Sequence, residues 1–451
     1  GGSNTGGGES VATNGAIATN LVIGSATAEI RNSTITTTSG GVSVIADNEA
    51  SIEATNKSVT LSGDGAAGAS LAFNTVGYAP TNLLAASLDA LLGTSLQQAS
   101  PAQATARIID STISAVGDVD VKAFNEASIE ANLLNDATSA AGALWGATGS
   151  ASSALLANNR VAGGALAEID ASTITTSASG NLTLLADDNA FINATSVMKA
   201  ISSTTNDGGA SLLGGMIEQM SESYGFTSNS GTQALEKGDR VRVASTHELG
   251  GVQGATYRYV GSNQDVNLGT TDYNATNLWA RVSESDPSDL IPQGLNITGS
   301  NSVAAGALIV RNDLSGGATA KVFDNSTLDL AGNATVEATS RTQLNASSEG
   351  IVTSSGGSAT GAGVSLAKNG MVVVNLVLGA ANAEIIGGAV TTGGDLTVTA
   401  TNDARLNALL NSVTTSGDAA LGAAVAFNTL GYQAQDILSQ SVDALLGTGF
   451  G

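Results

Sequence analysis

Apolar and polar side chains alternate along several segments of this chain. Residues 42–46 carry Val, Val and Ala at every second position, and residues 50–54 continue the alternation with Ala, Ile and Ala. Alternation with a period of two is typical of a strand with one buried face. Gly, Ser, Asn and Asp stand between such runs, and these residue types favour turns. The pattern therefore predicts an all-β fold made of short strands and tight turns.

The alternating segments return along the chain as an internal repeat. Residues 28–54, 106–131 and 167–194 share an Ala-x-Ile segment followed by Ser-Thr-Ile, and residues 321–346 and 383–408 repeat the pattern more loosely. One apolar anchor in each copy marks the spacing, with separations of 78, 61, 154 and 62 residues: Ile35, Ile113, Ile174, Leu328 and Val390. Such a repeat predicts stacked units that each contact their neighbours.

We interpret the repeat as a parallel β-solenoid in which a unit of 61 residues makes about three coils of roughly 20 residues. Segments rich in Gly, Ala and Ser, at 68–74 and 150–156, fit close packing between neighbouring strands. Strands stacked ~4.8 Å apart bury small side chains in one continuous column. A thin column of this kind explains why aromatic residues make up only 3% of the chain.

A longer repeat overlies the short one. Residues 62–94 and 416–448 align without gaps and are identical at 20 of 33 positions. Both copies end with apolar residues spaced i, i+4, i+7 and i+8 and a following Gly, which predicts short helices near 81–93 and 435–447 that leave the solenoid. We expect these apolar side chains to cover a solenoid face or to mediate self-association: Leu84, Leu88, Leu438 and Val442.

One segment interrupts the β-solenoid pattern, which stops near Met216 and resumes near Asn301. Between 237 and 282 lie five of the 16 basic residues, the single His and several large aromatic residues. Large side chains allow a small segment to form a core of its own, and insertion at a loop of a rigid scaffold is well tolerated. The predicted organisation is a β-solenoid over 1–215, a small inserted β-domain with linkers over 216–300, and a resumed β-solenoid over 301–451.

Composition excludes several classes of function. The chain has 39 acidic and 16 basic residues, a net charge of −23, so it lacks the clustered Lys and Arg that nucleic-acid binding requires. The absence of Cys excludes disulfides, thiolate metal sites and Cys nucleophiles. No apolar run approaches the roughly 20 residues of a membrane-spanning helix. The chain does not begin with Met, and its long repeat predicts that it is an internal piece of a larger array.

No catalytic motif is present, and we predict that the chain is not an enzyme. A polysaccharide lyase or hydrolase on a β-solenoid needs acidic residues clustered in one groove with a basic partner. The only His, His247, lies in a polar segment of the insert, where a solvated role is the ordinary interpretation. If the structure showed acidic residues clustered in one groove, it would instead favour a polysaccharide-degrading β-helix.

Acidic residues that follow the alternating runs suggest a calcium site. Stacking would place oxygen ligands in rows at the ends of successive strands, and hard cations bind oxygen ligands. The candidates are Asp47, Asp187, Asp188 and Asp403. The competing interpretation is a metal-free ladder of turn-capping side chains. No cofactor is required under either interpretation. Runs such as 34–38 leave ice binding by Thr as a minor alternative to ordinary solvent-facing strand residues.

Three aromatic residues make the insert a candidate glycan-binding module. Tyr257, Tyr259 and Trp279 stand in an order that resembles small chitin- or cellulose-binding modules, in which exposed rings stack on sugars. The alternative is that these rings form the core of the insert. The sequence leaves both interpretations open.

The repeated segments, joined to the Ser-Leu-Ala-Phe-Asn strand at 70–74 and the Asp-Ala-Leu-Leu-Gly-Thr helix at 89–94, resemble giant repeat-rich surface proteins of Gram-negative bacteria, the filamentous-haemagglutinin-like adhesins. The resemblance implies an extracellular β-solenoid that serves adhesion, a biofilm matrix or a surface filament. We therefore expect a non-catalytic fibre or adhesin stalk whose partners are neighbouring repeats or copies of itself. The alternative is a carbohydrate-binding surface protein whose insert recognises a polysaccharide.

Overall fold

The computed structural model describes residues 9–77, 102–142, 146–205, 225–244, 247, 249–251, 255–281, 299–356 and 363–431. These residues form an all-β structure without helices, in which three long parallel sheets dominate. The arrangement is consistent with a parallel β-solenoid. The two predicted helices, near 81–93 and 435–447, lie outside the described residues.

Sheets A, B and C form the three sides of the solenoid. Sheet A contains β1 (Val11–Val22), β2 (Ala26–Arg31), β5 (Gly65–Val76), β6 (Ala102–Ile109), β9 (Thr148–Asp170), β18 (Asn301–Phe323), β21 (Ser365–Ile385) and β24 (Ala419–Leu430). Sheet B contains β3 (Thr34–Thr36), β7 (Thr112–Ala115), β10 (Thr173–Thr176), β19 (Thr327–Leu330) and β22 (Ala389–Thr392). Sheet C contains β4 (Val42–Ser62), β8 (Val119–Gly142), β11 (Leu182–Thr205), β20 (Ala334–Ser355) and β23 (Leu396–Ser416).

The chain passes through sheets A, B and C in turn, and each such circuit is called a coil here. The register of sheet B follows the sequence repeat, because the five anchors pair with one another from coil to coil: Ile35, Ile113, Ile174, Leu328 and Val390. The described residues pass through all three sheets five times, and β24 begins a sixth coil on sheet A.

The predicted coil length is wrong. The unit of 61 residues between Ile113 and Ile174 is one coil rather than three, because these two anchors lie on adjacent strands. Sheet C strands run for 21 to 24 residues without a turn. The polar triplet 47–49, which we interpreted as a turn, continues β4 with Asn48 buried between Ala46 and Ala50. A polar side chain at an inward position resembles a strand end when only apolar residues are counted.

Small apolar side chains fill the space between sheets A and C. The largest cluster of buried residues is built from Ala, Val, Ile and Leu of all three sheets. Glycine stands opposite two inward methionines. A Cβ on Gly306 would collide with the side chain of Met198, and one on Gly350 would collide with Met371. The low aromatic content is therefore a consequence of two closely packed sheets.

The corner between sheets A and B explains the Ser-Thr-Ile part of the repeat. The residue before the serine adopts a left-handed conformation in successive coils, with φ of 50°, 48°, 45° and 60° at Asn32, Asp110, Ala171 and Asn325. The serines then form a ladder from backbone nitrogen to Oγ, with distances of 3.1, 3.1 and 3.3 Å along Ser33, Ser111, Ser172 and Ser326.

The insert lies between β11 and β18 and has small sheets of its own. One contains β12 (Phe226–Thr227), β14 (Arg240–Arg242), β15 (Thr256–Tyr259) and β17 (Trp279–Arg281), and the other contains β13 (Thr232–Leu235) and β16 (Gln264–Asn267). Most of these pairings are antiparallel, unlike those of the solenoid. A separate buried cluster contains the large aromatic side chains of the insert.

The described part of the solenoid is wider than it is long. β8 and β11 contain 24 residues each, a path of roughly 80 Å at ~3.3 Å per residue. The five strands of sheet C span only about 19 Å at the usual strand spacing. An elongated rod therefore requires more coils than the described residues provide.

Candidate functional site

A continuous asparagine ladder runs through the interior of sheet A. Each Nδ2 donates to Oδ1 of the asparagine in the next coil, and all five distances are 2.8 Å, along Asn20, Asn74, Asn159, Asn312, Asn375 and Asn428. The ladder is buried in the middle coils, where Asn74, Asn159 and Asn312 are 0% exposed. Buried amides must be hydrogen-bonded to be tolerated, so this ladder fixes the register of one coil on the next.

A second interior polar row lies on sheet C. Asn48 donates from Nδ2 to Oδ1 of Asn125 across 2.8 Å, and Asn125 donates from Nδ2 to Oδ1 of Asp188 across 2.7 Å. Ser340 and Asn402 continue the row in the next two coils. Opposite Asn125 and Asp188, glycines 163 and 316 of sheet A leave room that a Cβ would fill. Here the backbone of sheet A lies close to the polar row.

Asp188 is the acidic member of this row. Its side chain is 0% exposed, and its Oδ2 has no hydrogen-bond partner. Burial raises the pKa of Asp188 to about 7, while hydrogen bonds from Asn125 and the backbone of Gly317 oppose the increase. A buried carboxylate without a nearby cation is costly, which is the physical cause of this shift. Asp188 therefore differs from the solvated acidic residues of the surface.

The structure does not bring the four predicted calcium ligands together. Asp188 points inward, whereas Asp47 and Asp187 lie in the row that also contains Phe124, and Asp403 lies in a different row. Two of the candidates, Asp187 and Asp403, are instead paired with arginine. Arg341 is 2.7 Å from Asp187, and Arg405 is 2.8 Å from Asp403. Among the described residues, no group of three or more His, Asp or Glu side chains is arranged to hold a metal ion.

The outer face of sheet A carries a row of alternating charge. Glu29, Arg107, Glu168, Lys321 and Glu384 are in register from coil to coil. Nε of Arg107 is 2.6 Å from a carboxylate oxygen of Glu29, and Nζ of Lys321 is 3.4 Å from one of Glu168. The repeated Ala-x-Ile segments contain this alternation at their middle position, so the sequence already held a register signal that we did not interpret.

The three aromatic candidates of the insert are core residues. Tyr257, Tyr259 and Trp279 are 4%, 0% and 2% exposed. Tyr259 and Trp279 pack edge to face at 5.2 Å between ring centroids, and Trp279 donates from Nε1 to Oγ1 of Thr271 across 3.1 Å. Since none of the three presents a free ring face, these side chains do not form a sugar-stacking surface. His247 is also buried, with Nε2 3.0 Å from the carbonyl oxygen of Thr271.

Leu84, Leu88, Leu438 and Val442, the predicted self-association residues, lie outside the described residues. Among the residues that are described, no helix is long and apolar enough to cross a membrane. Comparison of the chain with family models, with curated proteins and with solved structures gives no match.

Sequence reasoning missed the asparagine ladder, although the signal was present. The aligned repeats 62–94 and 416–448 both contain Asn after Phe, at Asn74 and Asn428. The intervening coils have Asn159, Asn312 and Asn375 at the matching position, each inside a different local sequence. Only the coil register shows that these residues stack.

Proposed function

We propose that this chain is a non-catalytic structural segment of an extracellular fibre or adhesin stalk on a bacterial surface. The observation that carries the proposal is the asparagine ladder, which runs without a break from β1 to β24 across six adjacent strands of sheet A. Each hydrogen bond joins two neighbouring coils, so the register of the coils pairs the buried amide groups of successive ladder asparagines. A scaffold whose repeated hydrogen bonds lie in its interior suits a load-bearing role.

The surface supports the same proposal. A net charge of −23 favours a solvated, self-repelling exterior. Local charge on sheet A is arranged to hold neighbouring coils in register, as the contact between Arg107 and Glu29 illustrates. The resemblance of the repeats to filamentous-haemagglutinin-like adhesins supports the extracellular location.

Immunolabelling of intact and permeabilised cells of the producing bacterium tests the location. An antibody against the chain should label intact cells, and labelling only after permeabilisation would contradict the proposal. Deletion of the coding region should reduce adhesion or matrix cohesion without impairing growth on polysaccharides. A growth defect confined to polysaccharide medium would instead favour an enzyme or a glycan-binding protein.

A deletion variant separates the solenoid from its insert. Ser203 and Ser355 are paired on adjacent strands of sheet C, and Ser302 and Ser365 are paired on adjacent strands of sheet A. The long segment 204–301 and the short segment 356–364 therefore make equivalent connections from sheet C to sheet A in two neighbouring coils. Replacing the longer segment by the shorter one should leave coil stacking intact. Retained adhesion would support a structural role for the solenoid, whereas lost adhesion with a folded solenoid would assign the activity to the insert.

A further inference from the structure

Asp188 stands at a position where the two preceding coils have asparagine. Asn48 donates a hydrogen bond from its amide group to Asn125, and Asn125 donates one to Oδ1 of Asp188. An asparagine at 188 would donate in turn towards Ser340. An ionised aspartate has no hydrogen to donate, because a carboxylate is only an acceptor.

Two buried oxygen atoms are left without partners at this point. Neither Oδ2 of Asp188 nor Oγ of Ser340 has a hydrogen-bond partner, and both residues are 0% exposed. The two residues pair directly across β11 and β20. A protonated carboxyl group carries a hydrogen that Oδ2 can donate, in the manner of the asparagine amides.

The surroundings of Asp188 contain no compensating positive charge on the inner face. The inward neighbours are Asn125 of β8, Ser340 and Thr342 of β20, and glycines 163 and 316 of β9 and β18. The nearest charged groups on the same strands are on the outer face of sheet C: Asp187, Glu126 and Arg341. Arg341 is paired with Asp187 at 2.7 Å. An ionised Asp188 would therefore be a buried, uncompensated charge.

We propose that Asp188 is a neutral carboxylic acid in the folded solenoid and that its ionisation weakens the stacking of the third coil on the fourth. The protonated group keeps this buried position uncharged. The ionised group places a negative charge in the interior, with an oxygen that has no hydrogen-bond partner and no cation on the inner face to compensate it. The buried proton of Asp188 thus makes the cohesion of these two coils depend on pH.

The direction of the pH effect follows from the two states of the chain. In the unfolded chain the pKa of an aspartate is about 3.9, and in the folded solenoid burial raises the pKa of Asp188 to about 7. The folded state therefore binds an extra proton between these values. The stability contributed by Asp188 is complete below about pH 4, is lost as the pH rises towards 7, and stays constant above that.

Comparison of the wild-type chain with Asp188→Asn tests the proposal, because asparagine has the same shape and does not titrate. Denaturant unfolding is measured from pH 4.5 to 8.5 for both proteins. Relative to Asp188→Asn, the unfolding equilibrium constant of the wild type should rise about tenfold per pH unit between roughly pH 5 and 7. The outward neighbour supplies the matched control. Burial is the main cause of the raised pKa of Asp188 and the charge of Asp187 adds to it, so Asp187→Asn should keep the pH dependence and move it only slightly to lower pH.

Infrared spectroscopy observes the proton directly and does not depend on the variant folding. A carbonyl band of a protonated carboxyl group should be present at pH 6 in the folded wild type and disappear by pH 8.5. Parallel pH profiles for the wild type and Asp188→Asn, or a carboxylate at pH 6, would overturn the proposal. So would stabilisation of the wild type at pH 8.5 by added Na⁺ or Ca²⁺ that Asp188→Asn does not show, since Asp188 would then be an ionised cation ligand.

Discussion

Asn159 donates a hydrogen bond from Nδ2 to Oδ1 of Asn312 across 2.8 Å, although 153 residues separate them in the sequence. The insert and its linkers occupy most of that interval. The two asparagines belong to adjacent strands, β9 and β18, which pair in parallel with the same register as the strands of uninterrupted coils. Coil stacking is therefore set by interior side chains and is independent of the length of chain that leaves the solenoid.

Removal of one internal member of the asparagine ladder should destabilise the solenoid. Asn312→Ala leaves the amide of Asn159 and the carbonyl oxygen of Asn375 without their partners in a buried site. We expect a loss of about 2 to 4 kcal/mol in the free energy of unfolding, measured by denaturant titration. The matched control is Asn428→Ala, because Asn428 is exposed and ends the ladder. Equal losses for both variants would show that the ladder does not set the register.

The charge row on sheet A should respond to reversal of one member. Glu168→Lys places a positive charge between Arg107 and Lys321, and like charges on adjacent strands are unfavourable. We expect a loss of about 1 kcal/mol in the free energy of unfolding at low salt, decreasing as salt is added.

The same substitution in a pair of like charges should act in the opposite direction. Glu49 lies beside Glu126 on the outer face of sheet C. Glu49→Lys replaces that repulsion by attraction, so it should stabilise the chain slightly at low salt. Losses of stability in both variants would indicate that lysine is simply tolerated poorly on these strands and that charge order has no role.

Glycine 316 should tolerate no side chain. A Cβ at this position would collide with Oδ2 of Asp188 and would crowd Thr342, and both of these side chains are fully buried. Gly316→Ala should therefore cost about 1 to 3 kcal/mol of unfolding free energy. The adjacent Gly317→Ala is the control, because its nearest atom would be the carbonyl oxygen of Ala380 at 3.7 Å. Thermal unfolding of the two variants at pH 6 provides the comparison.

The sequence was sufficient to predict an all-β chain of parallel, stacked repeats. The prediction succeeded because each anchor, such as Ile113, is an apolar residue at a fixed place in a recurring segment, and stacking requires equivalent residues to pair. The coil length could not be obtained in the same way. Asn48 and Asn125 are inward residues with polar side chains, so an apolar pattern ends at them although the strand continues.

The candidate site was predictable only in part. Asp188 was among the predicted calcium ligands because it is acidic and follows an alternating run. Its neighbour Asp187 looked equivalent in the sequence, but the two side chains point to opposite faces of β11. An error of one position in the inferred strand reverses every side chain, so the sequence alone does not separate a buried carboxyl from a solvated one.

Calcium should have no effect on the stability of the solenoid. The predicted ligands Asp47, Asp188 and Asp403 lie in three different rows, and Asp187 and Asp403 are paired with arginine. We expect the unfolding temperature to be the same in excess chelator and in millimolar calcium. A rise with calcium that is lost in Asp187→Asn would show that these outer carboxylates bind the ion, and that the arginine side chains move away to admit it.

The buried position of Trp279 leads to a prediction about glycan binding. The chain contains two Trp residues, so Trp145→Phe isolates the fluorescence of Trp279. Because Trp279 is 2% exposed and packs against Tyr259 and Tyr273, its emission should be that of a buried indole and should resist acrylamide quenching. Chitin, cellulose and algal oligosaccharides should leave both properties unchanged. A glycan that protects or shifts the emission would mean that the insert opens to expose this ring, and would favour the carbohydrate-binding alternative.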